Sequence, residues 1–115
     1  MSDVWTDPVA SLDAVTLAGA GATGTIVDLL GVKSQHVIQH NASYPGAASF
    51  SLSVEGSFDG VDWIDLGASW GNAPAAAGSQ SLDFNSTVSA RYVRVNAATG
   101  NVGSPVITSY VSSRD

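Results

Sequence analysis

Cysteine is absent from the 115 residues. Disulfides and thiolate chemistry are therefore excluded, and stability is left to packing and sheet hydrogen bonds. Basic residues are scarce: four Lys and Arg stand against ten Asp and Glu, for a net charge of −6. Binding a phosphate backbone needs several clustered cations to release counterions, so nucleic acid is not an expected partner. Glu55 is the only glutamate, and alternation puts it on the wet face of a strand rather than in a cleft, which speaks against paired-carboxylate hydrolysis. No apolar run approaches the ~20 residues of a membrane helix, so no membrane partner is expected. Windows that would hold helical i, i+3, i+4, i+7 spacing are interrupted by glycine, and long helices are not expected. Residues Met1 to Pro8 are acidic and proline-bearing. A secretory leader would carry positive charge and then an apolar run there, so no export signal is read.

What is present is a chain of one-domain size, 44% hydrophobic and only 12% charged, globular rather than disordered. The clearest strand is Ser49–Glu55, where Phe50, Leu52 and Val54 alternate with Ser and Glu and so define an inward face. Further strand-like runs cover 13–17, 25–30, 34–41, 63–68, 80–84, 91–97 and 106–111, each bounded by Gly, Pro, Asn or Ser. About eight short strands predict an all-β fold, an antiparallel, jelly-roll-like sandwich over residues 12–115. Residues 1–11, with Trp5 beside Pro8 and no alternation, read as an N-terminal arm that is ordered only by packing on something.

Several constellations invite chemistry. Gly19-Ala20-Gly21-Ala22-Thr23-Gly24 has dinucleotide-loop glycines, yet a β-branched run stopped by Gly31 follows where a helix is required, so it reads as a turn-forming loop. His36 and His40 share a strand face. At ~3.3 Å per residue they stand about 13 Å apart, too far for one zinc ion, and they are expected to face solvent or a partner. Asp59, Asp62 and Asp65 are not spaced as a calcium loop, and Asp59 beside Gly60 is explained as the former of a tight hairpin turn. No serine sits in a Gly-x-Ser-x-Gly elbow. Catalytic residues, cofactors and metals are thus not expected. Trp5, Tyr44 and Trp70 lie outside clean alternation; each either anchors an interface or folds back to seal the sandwich.

Ser57-Phe58-Asp59-Gly60-Val61-Asp62-Trp63, followed later by Ala90-Arg91-Tyr92-Val93-Arg94-Val95 and Thr108-Ser109-Tyr110-Val111, resembles two things. One is the discoidin-like (coagulation factor 5/8 C-terminal) jelly-roll sandwich, marked here by Ser57, Asp59, Gly60, Trp63, Arg91, Tyr92 and Arg94. The other is a set of small virion proteins of tailed bacteriophages that reuse this sandwich. The discoidin-like resemblance implies that an arginine of the Arg91–Arg94 strand is tied into the sandwich by hydrogen bonds or an ion pair. Likeness to the phage proteins implies a non-enzymatic capsid decoration protein on the outer capsid surface of a virion. Its partners would be the major capsid protein or other virion proteins, and it would form a homo-oligomer such as a trimer. That 45 of the 115 residues are Gly, Ala or Ser suits such a protein. Alternative readings are a carbohydrate-binding module for host adhesion, with Trp70 stacking on a sugar beside Asn72, and a tail or baseplate component.

Overall fold

Strict alternation of apolar with small polar side chains makes strands that are dry on one face, and such strands are stable only when two sheets close over each other. The computed structural model describes residues 4–72 and 76–115, the side chains of 67–72 lying outside that description. In order the strands are β1 (Val9–Thr16), β2 (Ala22–Thr23), β3 (Val27–Lys33), β4 (Gln35–Tyr44), β5 (Phe50–Ser57), β6 (Ile64–Asn72), β7 (Gly78–Ser86), β8 (Ala90–Ala97) and β9 (Val106–Arg114). No helix occurs among the described residues. Each run expected to be extended contains a strand, although β3 starts only at Val27 and Ala14 and Leu30 take left-handed backbone within their runs; β2 is an additional two-residue strand inside the glycine loop.

One sheet has the order β1-β9-β4-β7 and the other β2-β8-β5-β6, with β3 also paired to β8; every pairing is antiparallel. The chain changes sheet at most connections, as in jelly-roll wrapping. β1 begins at Val9, so the last three residues assigned to the arm are strand. Before it, Thr6 continues the pairing: its N–H donates to the Ser113 carbonyl at 2.8 Å.

The core lies between the sheets. Phe50, Leu52 and Val54 of β5 are buried as alternation requires. Val54 pairs with Val95, and Leu52 with Ala97, across β8. From the other sheet Ile38, Ile107 and Val111 close the layer. Each fully buried aliphatic side chain of this kind contributes about 1.5–3 kcal/mol. Ser11 ties the layers together, its hydroxyl donating to the Thr25 carbonyl and accepting the Val95 N–H. Gly24 is held against β8 at that point, its N–H on the Val95 carbonyl at 2.8 Å. A Cβ there would meet the Val95 carbonyl oxygen at 2.5 Å. Close backbone approach, rather than phosphate binding, is what the glycine loop serves.

Candidate contact surfaces

The two histidines are the clearest correction to the sequence reading. Both share the Ile38 face of β4, as expected, but that face is the core side, and both are buried. Cross-strand pairing places His36 opposite Ser113 and His40 opposite Ser109 of β9. Their hydroxyls lie 2.7 Å from the respective Nδ1 atoms. His36 Nε2 donates to the Val88 carbonyl at 3.0 Å, which leaves Nδ1 as acceptor of the Ser113 hydroxyl in the neutral ring. Burial lowers the pKa of both, that of His40 to about 4 although Asp83 opposes the shift. A small hydroxyl supplied by the neighbouring strand is what makes an imidazole tolerable there.

Tyr44 also takes the inward alternative. It is 6% exposed, with its ring 6.3 Å from that of Phe50, because it ends the same alternating series as Ile38 and Ala42. It is therefore not an accessible interface anchor. Trp5 is 37% exposed in the arm, with the Arg114 guanidinium 4.7 Å over its ring. The side chains of Trp70 and Asn72 fall outside the described residues.

The turn at Asp59 differs from a tight hairpin: residues 58–63 separate β5 from β6. Asp59 organises that loop. Its Oδ1 accepts the N–H groups of Val61 (2.8 Å) and Asp62 (2.9 Å) and the Ser57 hydroxyl. Those donors, the Asp62 amide foremost, pull its pKa down to about 2. Gly60 takes φ +77 against the Tyr92 ring. With the Asp59 carboxylate committed to the loop, the Asp59, Asp62 and Asp65 spacing gathers no ligand set, and among the described residues no group of three or more His, Asp or Glu is placed to hold a metal ion.

Both arginines of β8 are tied into the sandwich. Arg94 donates to Glu55 at 2.9 Å and lies 4.0 Å over the Trp63 ring, while Asn96 also donates to Glu55. Arg91 pairs with Asp28 at 3.2 Å, which lowers the carboxyl pKa. Lys33 pairs with Asp115 at 3.6 Å, and Arg114 donates to Gln35. All four cations are thus engaged within the chain.

What alternation does not single out are exposed apolar side chains at loops and edges. Phe58 (60% exposed) and Val61 (76%) crown the β5–β6 loop. On the outer face of the first sheet, Pro8, Val37, Gln39, Tyr110 and Ser112 line an open hollow of about 350 Å³. A second groove, of about 200 Å³, runs between the arm and β3. Apolar residues in the run Ile26 to Val32, which does not alternate cleanly, were the one available signal.

No protein-family model matches the chain, and no curated protein matches it. Among solved structures, the crystal structure of PBSX exported protein XepA is similar, with a TM-score of 0.55 and 18% identity over 97% of this chain and 37% of that one. The chain thus spans little more than a third of that protein's length. At this identity the likeness shows the β-sandwich, without singling out its discoidin-like variety.

Proposed function

We propose that the chain is a non-enzymatic structural protein of a tailed phage or phage-derived particle, a decoration protein that reinforces the outer capsid surface through protein contacts. The observation that carries this reading is the set of large apolar side chains left on loops and edges of the sandwich, Phe58 and Val61 of the β5–β6 loop among them. Exposed apolar groups rimmed by polar ones mark protein contacts. In support, PBSX is a prophage, so the structural neighbour comes from a phage-related system. Major capsid protein is the partner this assigns, with modest affinities summed over many copies. Particles assembled without the protein are expected to lose resistance to heat and low salt. The purified protein should co-sediment with empty capsids, and Phe58→Ser with Val61→Ser should reduce that binding. Unchanged particle stability would rule out a cementing role, and immunogold label on tails instead of heads would move the protein to the tail or baseplate.

One observation favours a second reading. The hollow around Tyr110 places an exposed aromatic ring beside the amide of Gln39 and the Ser112 oxygen, which donates its own proton to the Thr6 carbonyl and stays open as an acceptor, a combination that suits a sugar by stacking and hydrogen bonds. A glycan array with binding lost in Tyr110→Ala would establish a host-adhesion module; an array without signal would remove it.

A further inference from the structure

On the side where β1 and β3 form neighbouring sheet edges, the register of β3 against β8 slips between Asp28 and Lys33. In the slipped stretch Leu30 has φ +60 and Gly31 has φ +147. Left-handed backbone at a leucine costs about 1–2 kcal/mol, and the surroundings hold it in place. Asp28 Oδ1 accepts the Leu30 N–H at 2.9 Å, and Arg91 grips the same carboxylate at 3.2 and 3.4 Å. The outcome is exposure: at 85%, Leu30 is the most exposed large apolar side chain among the described residues.

The second groove opens at this knob, lined by Thr6, Asp7, Val9, Val27, Asp28 and Leu29, with Leu30 itself part of the lining. Ile26 and Val32, both exposed, extend the apolar surface along the same edge. Edge strands of monomers are usually blunted by lysine, proline or bulges that turn the edge away. Here the bulge presents a leucine, and the segment from Ile26 to Val32 holds one charge, Asp28, which Arg91 neutralises.

The geometry points to a second copy of this chain as the occupant of the flank: a two-fold contact in which Leu30 of each copy seats in the groove of the other. A two-fold interface uses one patch twice, so it requires protrusion and recess side by side on one surface, and the flank supplies both. The chain carries a net charge of −6, and on this flank Arg91 cancels the one carboxylate of β3, which leaves Asp7 at the groove and Asp13 of β1 as its carboxylates without an ion-pair partner among the described residues. The seven residues of β3 run about 23 Å at ~3.3 Å per residue. With the smallest molecular extent of 20 Å, the face measures roughly 500 Å² in projection, less than the ~800 Å² per partner of a tight complex. A contact of that size is sought from the micromolar range upward.

This contact does not rest on the virion reading and is tested with the isolated full-length chain. Sedimentation equilibrium from micromolar to near-millimolar concentration should show a monomer–dimer equilibrium. Leu30→Asn, which suits left-handed backbone and so preserves the fold, should raise the dissociation constant by about tenfold or more, as loss of one buried apolar anchor implies. Leu82→Gln, on β7 at the opposite edge of the other sheet, should leave it unchanged. Raising NaCl to about 0.5 M should hold or tighten the dimer, since salt screens like charges and leaves apolar contact intact. A wild-type chain that stays monomeric, a dimer untouched by Leu30→Asn, or dissociation by salt would each overturn the assignment.

Discussion

Two imidazoles inside the sandwich set its response to acid. His40 has an unfolded pKa near 6.5 and a folded pKa of about 4, with burial as the main cause. Between those values the unfolded chain takes up a proton that the folded chain refuses, so stability is full above pH 6.5 and falls as the pH drops toward 4. At ~1.36 kcal/mol per pKa unit the loss is on the order of 3 kcal/mol, and His36 adds to it in the same direction. Urea unfolding at pH 7.5 and pH 4.5 is expected to show it, and His40→Gln should flatten the dependence. Asp59 acts in a separate window: its contribution is complete above its ordinary value of 3.8 and is lost as the pH falls through about 2.

The serines facing the rings carry a second residue-scale prediction. Ser113→Ala deprives buried His36 Nδ1 of its donor and should destabilise by about 1–3 kcal/mol in denaturant unfolding. Ser112→Ala, next in the chain but outward-facing, loses only the hydroxyl bond to the Thr6 carbonyl and should cost about 0.5–1.5 kcal/mol. Equal effects would mean that the imidazole does not depend on that hydroxyl.

Between elements, two glycines permit close approach, and their neighbours differ in compliance. A Cβ at Gly56 would meet the Leu66 Cδ2 and Ala90 Cβ atoms at 2.9 Å. The leucine terminus can shift, so Gly56→Ala is expected to cost about 1–3 kcal/mol as overpacking. At Gly24 the obstacle is the Val95 carbonyl oxygen at 2.5 Å, backbone that cannot move without breaking the bond between β8 and the β2–β3 connection. Gly24→Ala should therefore be the more damaging of the two in thermal unfolding. The arm belongs at this scale as well. Thr6 Oγ1 accepts the Ser113 N–H at 2.9 Å, so what the sequence presents as a loose segment is an added rung on β9.

Across the whole molecule, electrostatics narrow the range of partners. Each of the four cations is engaged within the chain, three by carboxylates and Arg114 by Gln35 and the Trp5 ring. A phosphate polymer would therefore have to break internal contacts against a net charge of −6 to be bound. No retention on immobilised DNA is expected even at about 0.01 M salt, where such attraction reaches furthest. Retention there would reopen nucleic acid as a partner.

Period-two patterning was enough to read the β-sandwich, the inward series Phe50, Leu52 and Val54, and the shared face of His36, Ile38 and His40, because side-chain direction along a strand alternates whatever the strand packs against. Which of two faces is the core is decided only by the opposite sheet. Ile38, Ala42 and Tyr44 carry the β4 series into the interior, and the imidazoles follow because Ser109 and Ser113 arrive from a strand some seventy residues later. The tightness of the turn at Asp59 and the exposure of Leu30 were likewise settled in three dimensions. One depends on amides folding around a carboxylate, the other on an arginine of β8 bracing an aspartate of β3, and pairings between distant strands leave no trace in local periodicity.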